Sequence, residues 1–334
     1  ISSKVMISLS WGFNRLSIMD LSSNGNQPFK YNSCELVCNG EVYNYQSLKE
    51  LLSNEYTFHS NSDCEILIPL YYKYGIEIMC KMLDAEFSLV LYDNETNSIM
   101  AARDPMGIRP MFYGYTKEDH KISFASEAKA LIDYCEDIMP FPPGHYYKDG
   151  QFICYNDLSD PKFINNDNLN VIFTNIKTKL ISAVEKRLHA DAPIGYLLSG
   201  GLDSSLVCSI AQKLIKPIKT FAIGMESDPI DLKYAKQAAE FLGTDHTEVI
   251  ITKDDVLNSL EEVIYHLETF DITTIRASIG MYLLCRYIHE NTDLKVILTG
   301  EVSNELFGYK YTDFAPSPSE FQKESQKRIK ELYM

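Results

Sequence analysis

The stretch that most constrains the fold is IGYLLSGGLDSSLVCSIAQKL, residues 194–214. An apolar run typical of a strand stops at Ser-Gly-Gly. A helix pattern begins after Asp-Ser-Ser, with Leu206, Ile210 and Leu214 on one face. Glycines between a strand and a helix let backbone N–H groups approach an anion, and the helix dipole favours negative charge there. The stretch therefore predicts a phosphate-binding loop.

The polar residues of this loop suggest which anion it holds. No Gly-Lys-Ser/Thr follows the glycines, so the loop is not of the Walker type. Ser204 and Ser205 offer hydroxyl groups, and Ser205 is also placed to cap the helix. Asp203 would be repelled by a bare phosphate, so we expect it to hold a magnesium ion on that phosphate. The simpler alternative is an ordinary Gly-rich turn with a serine cap.

The two halves of the chain have different patterns. After the polar segment 156–168, strand patterns (TFAIGM, TEVIIT, KVILTG) alternate with helical ones such as DDVLNSLEEVIYHLE, which indicates a parallel sheet. Before it, FSLVLYDNETNSIMAARD and HYYKDGQFICY predict hairpins, the second turning at Asp149-Gly150. Helical patterns cover YQSLKELL, CEILIPLYYKYG and SEAKALIDY. We predict an α+β domain over 1–157, with antiparallel sheets, and an α/β domain over 158–334.

Composition limits the partners and the compartment. The 334 residues suggest about two domains, and the net charge of −15 makes nucleic acid and anionic membrane poor partners. No apolar run approaches the roughly 20 residues of a membrane span, and no signal peptide is visible. The eight cysteines are scattered, mostly in apolar runs, without zinc-ligand spacing. This pattern predicts reduced thiols in a cytoplasmic protein.

A second motif is CNGEVYN, residues 38–44. An Asn side-chain amide beside a Gly N–H, here Asn39 and Gly40, is a minimal oxyanion hole. Glu41 and Asp63 are candidates for binding an ammonium group, and Arg15 for clamping a carboxylate. An amino-acid substrate needs such a set, although the motif alone is also compatible with a strand that ends in a turn.

These motifs together resemble one family. RLSIMD, NGEVYN, SDCEI, ARDPMGIRPMFYG, SEAKAL and PGHY are similar to the glutaminase domain of glutamine-hydrolysing asparagine synthetases. LLSGGLDSS, TFAIGM, HLETFDITTIRASIGMYL and TGEVSNELFGYKY follow in the order of the synthetase domain. The resemblance implies an Ntn-hydrolase-like domain followed by an ATP pyrophosphatase domain of the adenine nucleotide alpha hydrolase type, and it covers nearly the whole chain.

The resemblance also implies a reaction and a set of substrates. An N-terminal cysteine hydrolyses glutamine, and the ammonia passes through a tunnel to the second domain. There ATP, with Mg²⁺, and aspartate form β-aspartyl-AMP and pyrophosphate, and ammonia displaces AMP to give asparagine. The implied partners are these small molecules, and a homodimer is left open.

The family's functional residues fall on matching positions of this sequence. The implied catalytic residues are Asn39 and Gly40 as oxyanion donors, Asp203, and Glu301 as an acid in the aspartyl-adenylate step. The implied glutamine site comprises Arg15, Leu16, Ser17, Ile18, Met19, Asn39, Gly40, Glu41 and Asp63. The implied ATP site comprises Leu197, Ser199, Gly201, Asp203, Ser204, Ser205, Ile223, Thr299 and Gly300. Thr273, Thr274 and Arg276 fall near the aspartate substrate, and Asp203 with Asn304 at the metal.

Several positions depart from the family pattern. The family begins Cys-Gly, whereas this sequence begins with Ile1, so we expect a chain that starts at Ile1 to lack glutaminase activity. It ends at Met334, before the region where the family supplies a catalytic lysine. Asn304 stands where the family has a magnesium-ligand Asp, which predicts a weakened metal site. Val302 stands where the family has Gly, and we expect it to avoid positive φ at little cost.

Three functional hypotheses stay open from the sequence. The first is an asparagine synthetase, either a fragment of a working enzyme or one impaired at the magnesium site. The second is another carboxyl-adenylating amidotransferase of the same fold, such as a β-lactam synthetase, against which ETFDITTIRAS argues. The third is a homologue that binds glutamine or a nucleotide without turnover.

Overall fold

The computed structural model describes residues 9–161, 165–227, 230–308 and 314–331. The chain divides into two compact units, one within Ile1–Phe163 and Ala315–Met334 and the other within Ile164–Phe314. In the described part of the chain, no helix is long and apolar enough to cross a membrane.

The first unit is antiparallel throughout. Its strands are β1 (Phe29–Tyr31), β2 (Cys34–Val42), β3 (Ala85–Asp93), β4 (Ser98–Arg103), β5 (Phe112–Thr116), β6 (Ile122–Ala125), β7 (Cys135–Pro140), β8 (His145–Lys148) and β9 (Gln151–Cys154). A six-stranded sheet has the order β1-β2-β3-β4-β8-β9, and a three-stranded sheet has the order β6-β5-β7. Both predicted hairpins are confirmed, β3 with β4 and β8 with β9. Asp149 and Gly150, between β8 and β9, both have positive φ, as a tight two-residue turn requires.

The helices of the first unit are α1 (Tyr45–Leu52), α2 (Leu67–Met82) and α10 (Pro318–Lys330). Leu36 of β2 and Leu89 of β3 are buried in one cluster with Leu67 and Leu70 of α2, so α2 covers one face of the six-stranded sheet. Along the first half of β2, buried residues alternate with half-buried ones. On the opposite face of the sheet, Ala101 of β4 and Tyr147 of β8 are buried in a second apolar cluster with Met111 and Phe141.

The second unit is a parallel α/β structure. Its strands are β10 (Ile194–Leu197), β11 (Lys219–Met225), β12 (Asp245–Ile251) and β13 (Val296–Leu298), in the order β12-β11-β10-β13. Its helices are α3 (Leu169–Arg187), α4 (Leu202–Leu214), α5 (Ile230–Leu242), α6 (Lys253–Asn258), α7 (Leu260–Leu267), α8 (Ile272–Asn291) and α9 (Ser303–Phe307). All three strand pairs are parallel. The predicted fold class is therefore confirmed for both units.

Two predicted helices differ in the structure. SEAKALIDY forms only a 3₁₀ turn over Ala128–Ala130. Leu131 is buried there while Ile132 and Tyr134 are exposed, so the segment has no apolar stripe long enough to hold a helix on the core. DDVLNSLEEVIYHLE forms two helices, α6 and α7, instead of one, and they are divided at Ser259. The buried hydroxyl of Ser259 donates to the carbonyl of Val256, and such a bond to the local backbone competes with regular helix.

Candidate functional site

In the first unit, the six-stranded sheet carries polar side chains where β2 meets β3. Asn39 and Glu41 lie directly opposite Ser88 and Glu86. Residues two apart on a strand share a face, and directly paired residues share it as well. The four side chains therefore stand together. The sequence predicted Asn39 and Glu41 for this site but not their two partners on β3.

Gly40, between Asn39 and Glu41, lies too close to β3 for any side chain. A Cβ on Gly40 would be 2.5 Å from the carbonyl oxygen of Glu86 and 2.8 Å from the Cβ of Phe87. Only glycine fits this close approach, because the strand neighbour presents backbone atoms that cannot move aside.

The edge of β2 that faces away from β3 is not covered by β1 along its whole length. β1 pairs only with the start of β2, as far as Leu36. Successive residues of a strand direct their backbone groups to opposite edges, and Tyr43 donates towards the β3 side, to the carbonyl of Asp84. The backbone groups of Cys38, Gly40 and Val42 therefore point to the uncovered edge.

Side chains take up most of the backbone groups on this edge. Cys38 donates its N–H to Gln27 Oε1 at 2.6 Å and accepts from Gln27 Nε2 at 3.0 Å. Val42 donates its N–H to Asp63 Oδ2 at 2.6 Å, and the Gly40 carbonyl accepts from Cys64 Sγ at 3.4 Å. Within the described ranges, no acceptor faces the Gly40 N–H. This donor, beside the Asn39 amide, has the arrangement expected of an oxyanion hole.

The acids of this site are removed from water. Burial raises the pKa of Glu41 to about 8, and the nearby Asp63 carboxylate adds to the rise. Burial also raises the pKa of Asp63, although the Val42 N–H bond opposes this. Two acids with raised pKa values beside one another form a pocket that gains from an added positive charge.

Arg15 uses its terminal N–H groups within its own segment. It donates from Nη1 to the Ser22 carbonyl at 2.7 Å and to Asn26 Oδ1 at 3.1 Å. From Nη2 it donates to the carbonyls of Met19 and Asp20. A clamp on a ligand carboxylate would require some of these bonds to exchange, so the predicted role of Arg15 stays a prediction.

The Arg15 segment is tied to the turn that carries Asp63. Asp20 Oδ2 accepts from the Asn61 N–H at 2.8 Å. Leu16 is 61% exposed, whereas the residues Ser17, Ile18 and Met19 are half-buried. The structure thus brings the Arg15 segment beside the turn that leads to Asp63, and Asp63 beside β2, as the predicted glutamine site requires.

The sequence analysis missed an arginine that belongs to the same polar face. Arg109 Nη2 lies 2.7 Å from Glu86 Oε1. Asp104 accepts the N–H groups of Arg109 and Ile108, and Arg103 Nε donates to the Arg109 carbonyl at 2.8 Å, so the loop is fixed from both sides. A charged residue at position 86, within the mostly apolar strand β3, was the available signal.

In the second unit, a cavity of about 300 Å³ opens at the carboxyl ends of the parallel strands. Ligands of open α/β sheets bind at this edge. The residues that line the cavity are Leu197, Leu198, Ser199, Asp203, Ser204, Phe221, Ala222, Ile223, Asp231, Met281, Leu284, Thr299, Gly300, Glu301, Val302, Asn304 and Glu305. Most of the predicted ATP contacts are among them, whereas Gly201 and Ser205 are not.

The loop before α4 leaves the helix N-terminus free. Gly201 is the N-cap residue and provides no side-chain cap, while Ser199 Oγ and Ser204 Oγ lie 2.9 Å apart. The prediction that Ser205 caps the helix was wrong, because α4 begins at Leu202 and Ser205 lies within its first turn. The hydroxyl of Ser205 is shielded from solvent and has no hydrogen-bond partner within the described ranges.

The loop after β13 packs directly on this helix start. A Cβ on Gly300 would be 2.6 Å from the backbone nitrogen of Ser204. Val302 has a φ of +70°, so the expectation that it avoids positive φ was wrong. The loop must turn in the left-handed region at this position to start α9, and a β-branched residue is strained there.

Four carboxylates line the cavity, and the sequence analysis missed two of them. Asp203 and Glu301 were predicted, whereas Asp231 and Glu305 were not. In the described ranges, no group of three or more His, Cys, Asp or Glu side chains is arranged to hold a metal ion. Mg²⁺ commonly uses one or two carboxylates and completes its ligands with phosphate oxygens and water, so this donor set fits a metal–nucleotide complex.

The predicted aspartate contacts lie elsewhere on the surface. Thr273, Thr274 and Arg276 are exposed in the first turns of α8, and Asp271 caps this helix by accepting from the Thr274 N–H at 2.7 Å. The same helix sends Met281 and Leu284 to the cavity. The structure does not bring the three predicted residues into the cavity wall, and their role stays a prediction.

The two units correspond to an amidotransferase domain followed by a synthase domain. The glutamine amidotransferase domain family matches residues 4–144, and the family described as asparagine synthase matches residues 175–332. With both domains in this order, the chain belongs to the glutamine-hydrolysing asparagine synthetase family.

Individual relatives agree with this assignment. The chain is 42% identical to a probable glutamine-hydrolysing asparagine synthetase of Acanthamoeba polyphaga mimivirus over 98% of its own length and 64% of the relative's. It is 39% identical to the asparagine synthetase of Cricetulus griseus, over 97% and 63% of the two lengths. It is 42% identical to that of Zea mays, over 96% and 56%. The chain thus spans about three fifths of the length of these relatives.

Proposed function

We propose that this protein is a glutamine-dependent asparagine synthetase. Glutamine hydrolysis supplies ammonia, ATP adenylates aspartate to β-aspartyl-AMP with release of pyrophosphate, and ammonia displaces AMP. The observation that carries the proposal is the uncovered edge of β2, where the Gly40 N–H faces no acceptor in the described structure and lies beside Asn39. Unpaired strand donors are costly unless a ligand uses them, which supports a role in binding an oxyanion.

In the first unit, the chain's residues would recognise an amino acid by its charges. Glu41 and Asp63 offer carboxylates to the ammonium group, and Arg15 to Met19 lie on the segment proposed for the carboxylate. Asn39 and Gly40 would donate to the oxygen that gains negative charge when the amide is attacked. Strand pairing fixes the backbone that carries both donors.

In the second unit, the cavity would hold ATP. Leu197 and Ile223 provide apolar walls suited to adenosine. The N-terminus of α4, which has no side-chain cap, offers its N–H groups and dipole to the leaving pyrophosphate. Mg²⁺, when bound, would neutralise charge on the phosphates, with Asp203 as a ligand and Asn304 as a weaker one. Glu301 would serve the aspartyl-adenylate step.

A second candidate is a homologue that binds its ligands without turnover. The observations that favour it are the strained Val302, which precedes α9, and the neutral Asn304 in the first turn of that helix, both of which line the cavity. The placement in the cytoplasm, a homodimeric assembly and the lack of nucleic-acid and membrane partners stay predictions.

The test is to assay the full-length protein with ATP, Mg²⁺, aspartate and ammonium chloride. We expect release of pyrophosphate that requires aspartate, and Asp203→Asn as a control should lose it. Release with a different carboxyl substrate, and not with aspartate, would instead support another carboxyl-adenylating enzyme. Nucleotide binding without any pyrophosphate would support the second candidate.

The variant Asn304→Asp refines this test. Restoring a carboxylate beside the divalent ion should lower the magnesium concentration needed for half-maximal pyrophosphate release by about tenfold or more. The scale is that of one charged hydrogen bond, about 1.5–3 kcal/mol. Equal magnesium requirements in the variant and the parent protein would show that Asn304 does not weaken the metal site.

A further inference from the structure

The polar face of the first unit holds more carboxyl groups than an amino acid's ammonium group needs. Glu41 and Glu86 are directly paired across β2 and β3, and Asp63 lies against the end of β2. Like charges directly opposite one another in an antiparallel pair repel. Arg109, 2.7 Å from Glu86, is the cation that meets this cluster.

Most of the contacts that hold Arg109 are hydrogen bonds to its backbone, and few are made by its side chain. Arg103, buried at the end of β4, donates to the carbonyls of Arg109, Gly107 and Phe141. The Arg109 side chain makes one ion pair, and its shielded Nε has no hydrogen-bond partner within the described ranges. The backbone of Arg109 is therefore fixed, while its guanidinium keeps one donor, Nε, that is unused in the described part of the chain. The side chain is able to leave the Glu86 carboxylate and pair with another carboxylate.

We propose that the Glu86–Arg109 ion pair is a positioning device that sets the charge of Glu41 for recognition of the ligand's ammonium group. Arg109 removes the repulsion that Glu86 would exert on Glu41. Glu86, in turn, keeps Arg109 from pairing with Glu41 and taking the place of the ligand. The inference rests on the proposed function of this site in binding glutamine.

The groups around Glu41 agree with this role. The acids Asp63 and Glu86 raise its pKa and Arg109 lowers it, in addition to the larger effect of burial. The thiols of Cys38, on the same strand, and Cys64, on the Asp63 turn, also lie nearby. Glu86 and Arg109 carry opposite charges, so the two residues should shift the pKa of Glu41 in opposite directions.

The experiment compares Glu86→Gln, Arg109→Gln and the double variant with the parent chain. Carbon-detected NMR titration follows the Glu41 carboxyl group, and calorimetry measures glutamine binding. We expect Arg109→Gln to raise the pKa of Glu41 by about 1 and Glu86→Gln to lower it by about 1. Both single variants should bind glutamine about tenfold more weakly at pH 7, and the double variant should return towards the parent.

The opposite signs separate a charge-setting role from a structural one, since a merely structural pair would weaken binding without opposite pKa changes. Glu55→Gln, which breaks the exposed pair of Glu55 with Lys73, is the matched control and should change neither readout. Glutamine binding by the parent, with the pKa of Glu41 unchanged in both single variants, would overturn the inference. Opposite pKa changes without glutamine binding by the parent would overturn the proposed function and support the charge-setting role.

Discussion

The two candidate sites are built in different ways. In the first unit, the polar groups stand on paired strands, and short bonds such as Val42 N–H to Asp63 at 2.6 Å fix them. In the second unit, they stand on the loops that follow the parallel strands and on the first turns of the helices after those loops, and the start of α4 has no side-chain cap. The acids of the first site are buried before any ligand binds, whereas the N–H donors at the start of α4 in the second site have no side-chain cap.

The difference corresponds to the ligands that the two sites are proposed to take. A small ammonium group gains most from carboxylates that are already desolvated, because no water competes for them. A nucleotide with several phosphates needs many N–H donors and room for a metal ion, which loops and a helix N-terminus supply. Mutations in the first site should therefore mainly change the free energy of unfolding and its dependence on pH. Mutations in the second site should mainly change ligand affinity.

The largest effect is expected for Gly40→Ala. The added methyl group would overlap the Glu86 carbonyl and separate β2 from β3, which should lower the free energy of unfolding by about 2–3 kcal/mol. Urea denaturation followed by the fluorescence of Trp11, the one tryptophan of the sequence, reports on the first unit. Gly12→Ala is the control, because a Cβ there meets nothing within 4 Å. Equal midpoints for the two variants would contradict the close strand approach.

Glu41→Gln should change how stability depends on pH. The pKa of Glu41 in the folded protein, about 8, is above its ordinary value of 4.5, so the folded state binds this proton more tightly than the unfolded state. Stability should then fall as pH rises from about 4.5 to 8, by up to about 1.4 kcal/mol per pH unit.

Glutamine cannot ionise at this position, so the variant should lose this slope and gain on the order of 2 kcal/mol relative to the parent between pH 5 and 7.5. The measurement is urea denaturation at several pH values, with the exposed Glu55→Gln as the control. Parallel pH curves for Glu41→Gln and the parent would show that Glu41 is not desolvated.

In the second unit, Gly300→Ala should weaken nucleotide binding more than folding. Its methyl group would lie 2.6 Å from the Ser204 backbone nitrogen and push the loop away from the start of α4. We expect an ATP dissociation constant about tenfold higher, or about 1.4 kcal/mol. Gly280→Ala is the control, because its nearest contact, with Ile223, is 3.9 Å away. A large loss of stability with unchanged ATP affinity would remove the contrast between the units.

The sequence predicted the elements better than the contacts between them. Hydrophobic alternation and turn residues located both hairpins and the parallel strands, because these patterns are local. The pairing of Glu86 with Glu41 depends on strand register, and that of Arg109 with Glu86 depends on a loop fold, so neither is visible locally. Asp231 reaches the cavity because α5 begins beside the carboxyl end of β11, which is a property of the packed structure.

The smallest effect, and the sharpest test of the second site, is expected for Val302→Gly. A β-branched residue at φ +70° costs about 1–3 kcal/mol, whereas glycine adopts this conformation readily but loses more freedom on folding. The net result should be a gain of about 1 kcal/mol in the second unit, seen as slower hydrogen exchange of β10 and β13. Val302→Ala keeps the Cβ without the branch and should give a smaller gain. If Val302→Gly instead speeds hydrogen exchange, the loop is not strained. Val302 would then no longer support the second candidate function, a homologue that binds its ligands without turnover.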